Sequence, residues 1–388
     1  MLTKNINFKN FKGKKINKSL IKELNLFFKN NSELFKSLNN KYRYSYSKKL
    51  ISKFIKMPVL RVIGMGGSIL GTEAIYDFLS HKIKKKVIFV NNLKKNIKKF
   101  SSNYKTLNLI VSKSGNTLET ISNVNLLIKN DDKNIFITEN NNNNYLKKLA
   151  EKIKAEIIDH NNFIGGRYSV LSEVGMLPAE LMGLDERKFK QLNNLIKNKM
   201  FLEQLLVNVS NICNLNKNKN LNSIILNYDE RSDNLFKWYQ QLVAESLGKK
   251  SKGILPIVSS LPKDNHSTMQ LYLDGPKNFF YTFFFVSEKN TKKINSNNIL
   301  KSYDYLKNKD INQILYAQKL ATEKVFLKKK IPFRSFSVIN RNEETLGELF
   351  SFFILETILL GRAMNVNPFD QPSVELIKKE TKNFLLKL

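Results

Sequence analysis

Along this chain, short apolar runs alternate with longer stretches in which apolar residues recur every three to four positions. The runs at 58–63, 87–90, 107–111, 134–138 and 156–158 read as buried strands. Helical spacing follows several of them: Ala74, Ile75 and Phe78; then Ile121, Val124, Leu126 and Leu127; then residues 145–153. This alternation predicts a parallel sheet with helices on both faces. A helical stretch intervenes, and the pattern then resumes. Strands are expected at 223–227, 253–259, 279–286 and 333–339. Helices are expected at 233–247, from His266, over 298–329, and along a long apolar stretch at 343–364. Leu20, Ile21, Leu24, Phe27, Phe28, Leu34 and Phe35 keep helical spacing, so the first fifty residues read as a helical layer. Near the end, Pro372 suits the first turn of a last helix, which would set Gln371, Glu375 and Lys378 along one face. The expected organisation is a helical segment 1–50, an α/β domain 51–185, a helical linker 186–221, a second α/β domain 222–365 and a C-terminal helix 366–388.

Two strand–loop–helix junctions carry unusual loops. The run 107–111 ends in Ser112, Lys113, Ser114, Gly115, Asn116 and Thr117. Such a junction gathers free backbone N–H groups and the positive end of a helix dipole around one point. Hydroxyls from Ser112, Ser114 and Thr117 would complete an anion cradle suited to phosphate, although an ordinary capped turn uses the same residue types. The run 58–63 ends in Gly64, Met65, Gly66, Gly67, Ser68, Ile69, Leu70 and Gly71. Gly66 and Gly67 allow close approach of backbone to a ligand, and Ser68 adds a hydroxyl. Neither the Lys-Ser/Thr ending of an ATP-binding loop nor the spacing of a dinucleotide fingerprint is present. Neighbouring parallel strands would bring the two loops to the same sheet edge.

At 388 residues with 42% hydrophobic content, the chain can bury a large core as two domains or one. No apolar run approaches the ~20 residues of a membrane span, and no apolar signal core opens the sequence. The single cysteine, Cys213, excludes an intrachain disulfide and is too little for a zinc site, which fits a reducing, cytoplasmic setting. The net charge of +32 raises the question of nucleic acid. Yet the lysines are spread along the chain beside asparagines, as at 216–220, without interleaved aromatic platforms. The excess charge would still draw in an anionic substrate.

The other candidates are weaker one by one. Gly165-Gly166-Arg167 sets a planar cation beside backbone, as any surface turn with an arginine would. Gln241 and Glu245, four apart, share a helix face, where a carboxylate beside an amide is either a held base or a solvated side chain. His266, one of three histidines with His81 and His160, follows a polar turn and could simply start a helix. Lys378 could be a lysine snorkelling from a terminal amphipathic helix.

Together these stretches resemble the glucose-6-phosphate isomerase (phosphoglucose isomerase) family. The resemblance runs in the family's order from the Gly66 loop to Lys378. Its marks are Gly66-Gly67-Ser68-Ile69-Leu70-Gly71, Ser112 to Thr117 with Glu119-Thr120, and Gly165-Gly166-Arg167-Tyr168-Ser169-Val170. They continue with Gln241-Leu242, Ala244-Glu245-Ser246 and Gly248-Lys249, then His266-Ser267 with Gln270, then Phe369-Asp370-Gln371-Pro372 with Val374-Glu375 and Lys378. Glu173, Leu247, Ser373 and Ile377 depart from the family's usual residues, and the chain is short for the family, so peripheral arms are expected to be trimmed.

The resemblance implies two sugar-isomerase-type α/β domains, a homodimer and no metal or other cofactor, while the composition and the spread of charge predict neither nucleic acid nor membrane as partner. It implies aldose–ketose isomerisation between glucose 6-phosphate and fructose 6-phosphate through a cis-enediol. Gly67, Ser68, Ser112, Lys113, Ser114 and Thr117 would bind the phosphate end, and Gln241 and Gln371 would line the sugar. Glu245 is similar to the family's base and Arg167 to its oxyanion-stabilising arginine. His266, reaching in from the partner subunit, and Lys378 match the ring-opening pair. A dual phosphoglucose/phosphomannose isomerase and a non-catalytic sugar-phosphate-binding regulator are the alternatives.

Overall fold

The computed structural model describes residues 1–388 apart from 14, 31, 96–104, 130–131 and 217–221; most of the Lys/Asn run 216–220 therefore lies outside the described residues. Among the described residues ten strands form two five-stranded sheets. In chain order they are β1 (Ile6–Lys9), β2 (Val59–Gly64), β3 (Lys86–Val90), β4 (Thr106–Val111), β5 (Lys133–Thr138), β6 (Glu156–Asp159), β7 (Asn222–Asn227), β8 (Pro256–Ser260), β9 (Phe279–Val286) and β10 (Phe333–Val338). The first sheet has the order β3-β2-β4-β5-β6 and is parallel throughout. The second has the order β1-β10-β9-β7-β8, parallel except for β1 at its edge.

Both sheets reverse direction of growth once. In the first, β3 lies to one side of β2, and β4, β5 and β6 lie to the other. The crevice between the carboxyl ends of β2 and β4 is therefore a topological switch point, where ligands of open α/β sheets bind. The register pairs Gly64 with Val111, so the Gly66 and Ser112 loops leave the sheet side by side. Every residue of β2 and β4 is buried, as a strand covered on both faces requires.

The helix Asp233–Leu247 joins the two halves. It follows β7 and packs against the helix Leu70–Phe78, which follows β2. Its Leu235, Trp238, Leu242 and Val243 are buried in one continuous core that reaches from β2 and β4 to β9 and β10. Trp238 meets Phe350 of the helix Glu343–Ala363 edge to face, with centroids 4.8 Å apart. Full burial of one such side chain is worth roughly 2–3 kcal/mol, so the rotation of this helix is firmly set.

Three elements differ from the sequence expectation. The N-terminal layer has its helices, Lys18–Lys29, Glu33–Ser37 and Lys48–Phe54, but it also contributes β1. That strand pairs antiparallel with β10 and sets Phe8 against Phe336, with centroids 4.4 Å apart and the rings tilted by 32°. Four alternating residues among lysines and asparagines are too weak a period-two signal to stand out. The expected helix from His266 is a 3₁₀ turn, Lys263–His266, followed by the short helix Met269–Asp274. The last helix starts at Val374, not before Pro372, so the shared face expected for Gln371, Glu375 and Lys378 does not form. Among the described residues no helix is long and apolar enough to cross a membrane.

Candidate active site

The Gly66–Ser68 turn that follows β2 lies against Gly166 and Arg167. A side chain at Gly67 would collide with the Gly166 carbonyl and the Arg167 nitrogen. Glycine is thus demanded here by the close approach of two backbones. The contact brings Arg167 from the 3₁₀ turn Gly166–Leu171 to the mouth of the first sheet. Beside it, the Ser112 loop is closed by Gly115, which adopts φ +66° with Asn144 packed where a Cβ would sit. Thr117 is the N-cap of the helix Leu118–Leu127, yet its side chain makes no capping bond. Its hydroxyl lies 3.0 Å from that of Ser112 instead. Two hydroxyls and the helix start therefore face one spot, with Ser68 half-buried in the neighbouring turn and Ser114 exposed on the rim. Lys113 turns away: its ammonium donates to the Asn162 carbonyl at 2.8 Å and lies 3.4 Å from Glu139.

The second sheet's domain supplies the carboxylate. Glu245 and Gln241 lie one turn apart on the helix Asp233–Leu247, and Gln241 Nε2 donates to Glu245 Oε2 at 2.8 Å. The other carboxylate oxygen accepts from Arg167 Nη1 at 2.9 Å. The arginine side chain is 1% exposed and that of Glu245 22%, so the pair sits at the floor of an opening. Arg167 Nη1 also donates to Gln371 Oε1, while Nη2 donates to the carbonyls of Pro368 at 2.7 Å and Asp370 at 3.1 Å. The turn that carries Gln371 is tied down again by Lys249, which donates to the carbonyls of Ser246 and Asn367 and pairs with Asp370 at 2.9 Å. That ammonium holds the Asp370 carboxyl below the usual range. A cleft of about 590 Å³, lined by residues of the 32–34 and 162–165 stretches with Lys113, Tyr168 and Phe369, opens next to this turn, and none of Arg167, Gln241, Glu245 and Gln371 lines it.

Arg167, Gln241, Glu245 and Gln371 are thus gathered at one point, beside the loops that hold Gly67, Ser68, Ser112, Ser114 and Thr117. The chain does not bring His266 and Lys378 to that point. His266 is exposed at the end of its 3₁₀ turn. The turn itself is pinned by Asp264, whose carboxylate accepts from the Ser260 amide at 2.8 Å and the Ser259 hydroxyl at 3.2 Å. Lys378 pairs only locally, with Glu375 at 2.6 Å, and both side chains are more than 60% exposed. His160 proves to be a core histidine, with burial pushing its pKa down to about 4.

Sequence reasoning passed over Ser246, Tyr168, Lys249 and Asp370 as parts of this site. Each stands within a motif already picked out, but nothing in spacing tells which neighbours of a functional residue face it. The departures are accommodated. Glu173 is buried and accepts from the Tyr42 hydroxyl and the Ser45 amide at 3.1 Å. Leu247 is core, whereas Ile377 is 71% exposed. Ser373 precedes the last helix without a side-chain capping bond.

The family model described as phosphoglucose isomerase matches residues 28–388. A glucose-6-phosphate isomerase from Methanocaldococcus jannaschii is 33% identical over 342 residues, covering 82% of each chain. Among solved structures, a hypothetical protein from Thermus thermophilus superposes with a TM-score of 0.83 at 22% identity, covering 95% of both chains. A glucose-6-phosphate isomerase from Chlamydia trachomatis gives 0.69 at 20% identity, covering 87% of this chain and 72% of that one. At such identities the two structures speak for the fold.

Proposed function

Since the chain belongs to the phosphoglucose isomerase family, we propose that it interconverts glucose 6-phosphate and fructose 6-phosphate at the Arg167–Glu245 pair. The observation that carries the assignment of the site is that pair itself: a buried, permanently charged donor 2.9 Å from a partly accessible carboxylate, with an amide on either side. Moving a carbonyl between C1 and C2 needs a base to take the proton from the carbon beside it and a cation to meet the developing oxyanion. Glu245 is the base. Gln241 holds one of its oxygens, and the other is released when the sugar oxygen replaces it as acceptor of an Arg167 Nη1 N–H. The proton then returns to the neighbouring carbon of a cis-enediol. Gln241 Oε1 is buried without a protein partner among the described residues, which suits an acceptor for a sugar hydroxyl.

Gly67, Ser68, Ser112, Ser114 and Thr117 hold the phosphate, remote from the reacting carbons, so that its binding energy orients the rest. Lys113 contributes its main chain and its field. Ring opening falls to His266 and Lys378. Neither reaches the pair within one chain, so the working form is a homodimer in which a second copy supplies His266. The apolar stripe Val374, Ile377, Phe384 and Leu385 on a helix with no buried residue is a surface such a copy would cover. With one cysteine in the chain, the cytoplasm is the compartment this reading assigns.

A coupled assay with fructose 6-phosphate and mannose 6-phosphate side by side tests the reading. Glucose 6-phosphate should form from the former at a rate far above any turnover of the latter. Comparable turnover of both would make the enzyme a dual isomerase. Binding of sugar phosphate without turnover of either would make it a sensor.

A further inference from the structure

The arginine of this site is oriented from behind, and the group that does so has no part in the chemistry above. All five N–H groups of Arg167 are engaged. Nη1 faces the opening and donates to two side chains, Glu245 and Gln371. The back edge faces the protein: Nη2 donates to the Pro368 and Asp370 carbonyls, and Nε donates to Ser246 Oγ at 2.7 Å. Having accepted that bond, the Ser246 hydroxyl sends its own proton to the Tyr168 oxygen, 2.8 Å away. The Tyr168 hydroxyl donates in turn to the Pro368 carbonyl at 2.9 Å. Because Arg167 Nη2 donates to the same carbonyl, the bonds form a closed ring: Arg167, Ser246, Tyr168, Pro368. Tyr168 and Ser246 are at most 1% exposed, so no water substitutes for a missing member.

We propose that Ser246 is a positioning residue for the isomerisation. Its hydroxyl fixes the plane of the Arg167 guanidinium and so aims Nη1 at the oxyanion. The inference rests on the reading of Arg167 as the oxyanion-stabilising cation. Its force comes from the helix. Glu245 and Ser246 are consecutive, so the base and the clamp on the cation are set by one backbone. A turn of that helix would move both together, and the distance between base and cation is preserved. An arginine planar and always charged rewards this, because its donors are useful only in the right plane.

Ser246→Ala removes the acceptor, and Ser246→Cys fills the space with a poor one. If the hydroxyl positions Arg167, both should lower kcat by about 10²-fold, with KM for fructose 6-phosphate within about threefold. Affinity for a phosphorylated hydroxamate, which carries the charge of the enediolate, should fall in parallel. Affinity for sorbitol 6-phosphate, which carries none, should hold. A role confined to packing predicts instead that Ser246→Cys is restored to wild-type kcat. Such restoration, or equal weakening of both inhibitors, overturns the proposal. If Ser246→Ala does not fold, Tyr168→Phe keeps the aromatic side chain and opens the hydrogen-bonded circuit only at the next hydroxyl. It should show the same selective loss of the hydroxamate, smaller in size, and unchanged hydroxamate affinity there counts against the clamp. Arg167→Lys separates the two layers. If it keeps wild-type hydroxamate affinity, the reading of Arg167 is wrong. If it loses that affinity while the Ser246 variants do not, that reading stands and this proposal falls.

Discussion

The proposed site has two halves of very different character. Arg167, Gln241, Glu245 and Gln371 are fixed by hydrogen bonds within one chain, at the contact of a buried helix with a glycine turn. His266 and Lys378 stand on an exposed turn and an exposed helix, with Lys378 63% accessible. In the proposed reaction the difference follows the demands of its two steps. Proton transfer between adjacent carbons needs base and cation set to a fraction of an ångström, which only a packed core supplies. Ring opening shuttles a proton between two oxygens, which the His266 proposed to come from a second copy can serve. A buried half that acts and an exposed half that completes it make distinct predictions.

The largest effect belongs to the buried half. Glu245→Gln keeps the shape, and the amide oxygen can still accept from Arg167, but the basic oxygen is gone. kcat should fall by about 10²–10⁴-fold while substrate binding persists, because the phosphate loops are untouched. The C2 proton of glucose 6-phosphate should exchange with deuterated water in wild type and not in this variant. Wild-type exchange in Glu245→Gln would mean that the base lies elsewhere and that the buried half is only scaffold.

The exposed half should show a smaller and more selective loss. His266→Ala is expected to slow turnover of cyclic substrate on the order of 10²-fold, and to affect an open-chain aldose phosphate much less. Mixing His266→Ala chains with Glu245→Gln chains should recover activity, since a mixed dimer holds one site with both groups intact. Demonstrably mixed dimers without recovery would break the division of labour between the halves.

The two halves were not equally legible. The central strands β2 and β4, buried at every residue, follow from mainly apolar runs, and the helix Asp233–Leu247 from its 3.6-residue spacing, because burial on both faces leaves a strong signal. Gln241 and Glu245, four apart, were visible as a pair for the same reason. What placed Arg167 against them is a contact between chain segments 78 residues apart, closed by the approach of Gly67 to Gly166, and no local pattern carries that. β1 escaped because four residues at a sheet edge take their partner, β10, from the far end of the chain. The last helix starts later than its sequence suggests: Pro372 fits a first turn, but the bonds of Arg167 and Lys249 to residues 367–371 hold that stretch out of the helix. Tertiary contacts overrode a correct local preference.

The smallest expected effect tests how loosely the exposed half is held. Lys378 and Glu375 pair at 2.6 Å across one helical turn, with 63% and 66% of their side chains accessible. Exposed i,i+3 pairs contribute only about 0.3–0.5 kcal/mol, since both charges are nearly as well solvated apart. Glu375 lies off the apolar stripe, so even a second copy seated on Val374, Ile377 and Phe384 would leave its carboxylate wet. Glu375→Gln should therefore lower unfolding stability by less than about 0.5 kcal/mol in urea titration, and high salt should erase the difference. The freed ammonium of Lys378 should serve the sugar as before, with kcat essentially unchanged. A loss of about 3 kcal/mol or more, insensitive to salt, would be that of a desolvated pair losing one partner. The exposed half would then be locked as tightly as the buried one, and the contrast between them would fail.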